Sequence, residues 1–108
     1  MWLIQPFDDT IDKKLKKFKS NQPLIKNFTN FIEDLKTTDD PARLGESKHG
    51  IYKNCIGKHI IKSHTLIYHV DYSKGIVWLV DLDDHKNLYG RTTDPRYHFI
   101  KLENTNAS

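Results

Sequence analysis

The sequence predicts an α+β domain, with an N-terminal helix hairpin packed on one face of a small, mainly antiparallel sheet. Three observations point there. Between residues 11 and 35 apolar side chains recur every three or four positions, with lysines and other polar groups between them. From about residue 50 the pattern changes, and three runs rich in β-branched and aromatic residues follow one another with short turns. Helices grouped before strands, instead of alternating with them, separate this arrangement from a parallel α/β sheet. At 108 residues the chain can build one core but not two. Residues 1–102 therefore read as a single domain, and "ENTNAS" (103–108) as a flexible tail.

The elements follow in order. "WLIQPF" (2–7) is strand-like and stops at Pro6 and the acids Asp8 and Asp9; it is placed at a sheet edge. Asp8, Asp9 or Thr10 can cap a helix, because a short side-chain oxygen accepts a bond from a free N–H of the first turn. Ile11, Leu15 and Phe18 continue at helical spacing among five lysines, whose outer face is read as solvated. Ser20 or Asn21 followed by Pro23 starts a second helix. Its stripe of Leu24, Phe28, Phe31, Ile32 and Leu35 runs to about Lys36. "TTDDPARLGESKHG" (37–50) reads as loop. Strands are then expected at "GIYKNCIGKHI" (50–60), "TLIYHVDY" (65–72) and "IVWLVDL" (76–82), the last one central with both faces covered. The order is β-α-α-β-β-β. Tyr68 and Trp78 are assigned to the core, and Cys55 is read as a small buried apolar group. "RYHFIKL" (96–102) reads as an extra strand or short helix.

Composition excludes some classes of function. No apolar run approaches the roughly 20 residues of a membrane helix. The N-terminal residues have neither the basic flank nor the cleavage site of a secretory signal, and a lone cysteine fits a reducing, cytoplasmic setting. The charge is unevenly spread. Residues 43–64 hold Arg43, Lys48, Lys53, Lys58 and Lys62 against Glu46 alone, while the segments on either side are close to balance. A localised basic stripe fits a phosphate-rich partner.

Chemistry-bearing residues gather at one sheet edge. His59 ends the first strand of the meander and His85 follows the third, so an antiparallel sheet brings both to the same edge. Lys53, Lys58 and Lys62 come from the strand and turn beside them, and Tyr89 follows His85 by four residues. Two imidazoles with several ammoniums suit in-line attack of an RNA 2′-hydroxyl on the adjacent phosphate. One group takes the 2′ proton, another protonates the departing 5′ oxygen, and cations hold the phosphate. The acids Asp81, Asp83 and Asp84 just before His85 repel RNA if they face it. Alternatively, one pairs with His85 and favours its protonated form. "DLDDH" is not read as a metal cage, because neighbouring strand residues point to opposite faces.

The stretch "RLGESKHGIYKNCIGKHIIKSHTLIYHVDYSKGIVWLVDLDDHKNLYG" resembles the RelE/ParE superfamily of toxin–antitoxin toxins, in particular the YafQ-like mRNA endonucleases. The likeness lies in a Leu-Gly loop, His59 nine residues before Tyr68, and the ending "DHKNLYG", and it extends over roughly residues 1–90. It implies a RelE-like fold, a type II toxin acting as a metal-independent endoribonuclease, and no cofactor. The implied partners are mRNA, read on the ribosome, and a cognate antitoxin protein. By the resemblance, His85 is the general acid, His59 a candidate general base, and Tyr89 the aromatic position. The family's acidic residue after the first histidine falls near Ser63, with His64 beside it, so the base is left open between His59 and His64. The arginine usual before the middle strand is Thr65 here. Phosphate contacts are then assigned to Lys53, Lys58, Lys62 and Lys86, with Arg91 a substitute. The alternative from another class is a ParE-like, non-nucleolytic inhibitor of DNA gyrase, or an inactive binding module of the same fold.

Overall fold

A computed structural model of the chain describes residues 1–89. The element expected at 96–102 and the C-terminal tail lie outside them, as does Arg91. The elements are β1 (Leu3–Pro6), α1 (Thr10–Lys17), α2 (Gln22–Thr37), β2 (Glu46–Ser47), β3 (Ile56–Ile61), β4 (His64–Asp71), β5 (Ile76–Asp84) and α3 (His85–Tyr89). Single 3-10 turns occupy Pro41–Leu44 and Gly50–Tyr52. The strands form one sheet in the order β1-β5-β4-β3-β2. β1 runs parallel to β5 and all other pairs are antiparallel. This is the α+β arrangement that the sequence predicts, with the helix hairpin as the crossover between the parallel strands.

Helix α2 begins where Asn21 accepts a bond from the Leu24 N–H at 3.3 Å and Pro23 stands in the first turn. Leu24, Phe28, Phe31 and Leu35 are buried on its inner side. They meet Ile56, Ile60, Leu66, Tyr68, Val70, Val77, Leu79 and Leu82 of the sheet, with Ile11 of α1. Tyr68 is fully buried there, and its hydroxyl donates to the Pro41 carbonyl at 2.7 Å. The opposite sheet face carries a smaller cluster of Tyr52, Cys55, Ile67, Val80 and Leu88. Burial pushes the Cys55 thiol up to about 12, which fits its reading as an apolar filler.

Four local features differ from the sequence reading. Gly50–Tyr52 form a 3-10 turn and the strand starts only at Ile56, because Gly50 and Asn54 both take positive φ (66° and 73°), which interrupts any extended run. Glu46 and Ser47, read as loop, pair with Gly57 and Ile56. Trp78 is half-buried and outside both clusters, since it alternates with Val77 and Leu79 onto the less covered face. Finally, the β4–β5 register shifts between Ile67 and Tyr68, so β5 carries Val80 as an extra residue. Without that bulge, Asp81 and Asp83 would point into the helix-side core; with it they fall in line with Ile67 and Thr65.

Candidate active site

The two histidines singled out from the sequence stand at one end of the face opposite the helix hairpin. His59 on β3 pairs with Thr65 on β4, which pairs with Asp83 on β5. Two strand spacings separate His59 from Asp83, about 10 Å between backbones. His85 follows Asp83 by two residues as the first residue of α3. Both imidazoles are exposed. His59 Nδ1 lies 3.2 Å from the Oγ1 of buried Thr65. When Nδ1–H donates in that contact, Nε2 is bare and directed away from the strand, which is the form a base requires.

The acids before His85 form the mount of α3. Asp84 accepts a bond from the Asn87 N–H at 2.8 Å, capping the helix, and its other oxygen takes the Asn87 amide at 3.1 Å. Asp83 accepts from the same amide at 3.3 Å and from the Asp84 N–H at 2.8 Å. Its second oxygen is bonded by the Lys14 ammonium, which also lies 3.2 Å from Asp81. β1 pairs with β5 only as far as Leu79, and α1 packs along the edge of β5 beyond that point, which is how Lys14 reaches both carboxylates. Asp81 further accepts from the Tyr52 hydroxyl at 3.5 Å. Burial pulls the Asp83 carboxyl upward. The Lys14 hydrogen bond opposes it, with the Asp84 N–H, the lysine charge and Asn87 adding to that bond, and the group sits below the usual carboxylate range. An aspartate pairing with His85, one of the two expectations from sequence, is therefore not what forms: these carboxylates are engaged by Lys14, Asn87 and backbone N–H groups.

Below His85, α3 is held by fully buried Leu88 and by rings. His85 lies against Tyr89 with centroids 4.5 Å apart, and Tyr89 meets Tyr52 edge-on at 5.6 Å. The Gly50–Tyr52 turn thus supports the helix that carries His85.

The remaining sequence candidates divide. His64 alternates with Thr65 onto the helix side, where it stands edge-on to Phe18 at the end of α1 at 4.8 Å and lies 2.8 Å from the Ser63 hydroxyl. It does not share a face with His59, because adjacent strand residues point oppositely. Lys58 also turns to the helix side, 5.7 Å above the Phe31 ring. Lys53, Lys62 and Lys86 are exposed, at the end of the Gly50–Tyr52 turn, in the β3–β4 turn and on α3. Two shallow grooves of about 290 and 280 Å³ meet at Lys58 and His59; the first is walled by Arg43, Glu46 and Gly57, the second by Asn27, Asn30 and Asp34. One cation escaped the sequence assignment: Lys48, whose stem lies directly over Gly57. A glycine inside a strand two positions before His59 was the available signal. Among the described residues no three histidines, cysteines or acids gather as a metal cluster, and no helix is long and apolar enough to cross a membrane.

No protein-family model matches the chain, and no curated protein matches it significantly. Solved structures do. A metal-bound toxin from Helicobacter pylori superposes with a TM-score of 0.67 at 23% identity, covering 82% of this chain and 100% of that one. A YoeB–YefM complex from Staphylococcus aureus gives 0.62 at 18% identity over 79% and 99%. YafQ from E. coli gives 0.57 at 11% identity over 82% and 99%. The fold is that of YoeB- and YafQ-type toxins.

Proposed function

We propose that the chain is the toxin of a type II toxin–antitoxin system, an endoribonuclease that cuts mRNA by 2′-hydroxyl attack. The observation that carries this reading is the pair His59 and His85 on one face of the sheet, in a chain with the fold of YoeB and YafQ. His59, oriented by Thr65, removes the 2′ proton. The 2′ oxygen attacks phosphorus, and His85 protonates the 5′ oxygen as its bond to phosphorus breaks. The products end in a 2′,3′-cyclic phosphate and a 5′-hydroxyl. Protons are exchanged between side chains and substrate only, so the step needs no metal.

His59 is preferred over His64 as base because it stands on the sheet face away from the hairpin, in a row with Thr65 and Asp83, whereas His64, paired with Asp84, turns to the helix side against Phe18. Lys53, Lys62 and Lys86 supply positive charge around the phosphates, and Tyr89 supplies an aromatic ring on which a base can stack. The solved relative in complex with YefM supports a cognate antitoxin as partner, and the ribosome is the proposed setting for mRNA. The test maps RNA ends after incubation of the purified chain with free mRNA and with mRNA on ribosomes, beside His85→Ala. Cleavage that the substitution abolishes, leaving cyclic phosphate ends, is the expected result. Folded protein that cuts neither substrate would refute the nuclease and favour gyrase inhibition, which a supercoiling assay reads directly.

A further inference from the structure

We infer that Lys48, laid across the bare backbone of Gly57, binds the phosphate one nucleotide away from the one that is cut. The inference rests on the reading of this sheet face as an RNA site. Gly57 pairs with Ile67, a member of the small cluster, so a side chain at position 57 would project on the His59 face. A Cβ built there meets Lys48 Cε at 2.1 Å, Nζ at 3.1 Å and Cδ at 3.2 Å. The lysine stem therefore lies flat on the sheet at the place a side chain would fill.

The root of that stem is fixed. Lys48 N–H donates to the Cys55 carbonyl at 3.0 Å, and a Cβ at Gly45 would meet the Gly57 carbonyl oxygen at 2.6 Å, so the 45–48 segment is pressed against β3. The side chain is half-buried, yet its ammonium makes no ion pair or hydrogen bond with any other described residue. A half-desolvated cation rooted on an open face is a ready contact for an anion. Gly57 and His59 are two residues apart on one strand face, about 6.8 Å, which is close to one nucleotide step of an extended strand. Gly57 and His59 both line one groove, together with Arg43, Glu46 and Lys58. With the scissile phosphate between His59 and His85, the neighbouring phosphate falls at Lys48.

The test uses a short single-stranded RNA carrying 2′-O-methyl groups, which cannot be cut, followed by fluorescence anisotropy over a salt series. Lys48→Met keeps the stem and removes the charge. Gly57→Ala keeps the charge and displaces the ammonium, and the displaced atoms are the mobile end of a lysine, so the fold survives. Both variants are expected to bind several-fold more weakly. For Lys48→Met the salt slope falls by about 0.7, the share of one phosphate on a single strand. On unmodified RNA, KM rises by the same factor and kcat holds. Unchanged binding by Lys48→Met overturns the inference, as does wild-type protein that binds no RNA. A fall in kcat with unchanged binding overturns it too, since it puts Lys48 on the scissile phosphate. RNA binding lost in Lys48→Met while wild type never cuts unmodified RNA upholds the phosphate contact and removes the nuclease reading instead.

Discussion

Replacing Lys14 by methionine isolates the mount beneath α3. Lys14 is 12% exposed and holds Asp81 and Asp83, which are 1% and 3% exposed. Methionine preserves the volume of the stem and leaves two buried carboxylates without their shared cation. Removing one partner of a buried ion pair costs about 3–5 kcal/mol, a large part of the roughly 5–15 kcal/mol that holds a small domain folded. With a urea dependence near 2 kcal/mol/M, the unfolding midpoint should fall by about 2 M.

The pH dependence should change as well. In the wild type the Asp83 carboxyl is held below its ordinary value, so its stabilisation is complete above the unfolded value of about 3.9 and is lost as pH falls through the lower folded value. Between pH 5.5 and 8 this group leaves stability flat. Without Lys14, only the Asp84 N–H and Asn87 bonds still oppose burial, and the carboxyl is expected to rise above its unfolded value. The variant then gains stability as the pH is lowered from 8 to 5.5. Urea titrations at both pH values, followed by far-ultraviolet circular dichroism, read both effects, and Asp83→Asn added to Lys14→Met should recover part of the loss. A loss under about 0.5 kcal/mol, or one that is the same at both pH values and not relieved by Asp83→Asn, would refute the reasoning.

Four further substitutions probe the site directly. His59→Ala should slow single-turnover cleavage by about 10²–10⁴, whereas His64→Ala should stay within a few-fold of wild type and act through its packing on Phe18, read in a thermal melt. Thr65→Val keeps the shape of the residue and removes the oxygen that orients His59; kcat should drop by roughly 3- to 10-fold, the worth of one hydrogen bond, with KM unchanged. Asp84→Ala removes the cap of α3 and should cost about 0.5–2 kcal/mol in chemical denaturation, with a fall in cleavage rate from misplacement of His85.

How far the sequence could carry these conclusions depended on the range of each interaction. The stripe from Leu24 to Leu35 and the Asn21–Pro23 start are local, and α2 forms over Gln22–Thr37 where the periodicity put it. β1 at the edge and the β3–β4–β5 meander were readable for the same reason, and so was the juxtaposition of His59 with the end of β5. The contacts that decide the site are not local. Lys14 meets Asp83 across 69 positions, one lysine among five at similar spacing, and nothing in their pattern distinguishes it. The extra residue at Val80 inverts the faces of Asp81 and Asp83, and a continuous apolar run gives no sign of it. Trp78 was misassigned because a large aromatic in an apolar strand does not reveal which face is thinly covered. Lys48 was passed over because the feature that places it is a missing side chain on another strand.

The three acids beside a proposed RNA site make physical sense once α3 is considered as a helix. Five residues make little more than one turn, and a segment that short has no stability of its own in water. His85 can hold a fixed position only if the tertiary structure supplies it. Leu88 provides an apolar anchor at one end of the turn, while His85 is at the other, exposed end, where the Tyr89 ring is its apolar contact. Polar groups supply the rest. Asp84 closes the first turn, Asn87 ties that cap to Asp83, and Lys14 holds Asp83 from the edge of β5. Each carboxylate is turned toward a donor, and Lys14 offsets part of the negative charge that would repel RNA. The run of acids and the histidine are then one device, in which buried charge sets the place of the exposed imidazole proposed as proton donor.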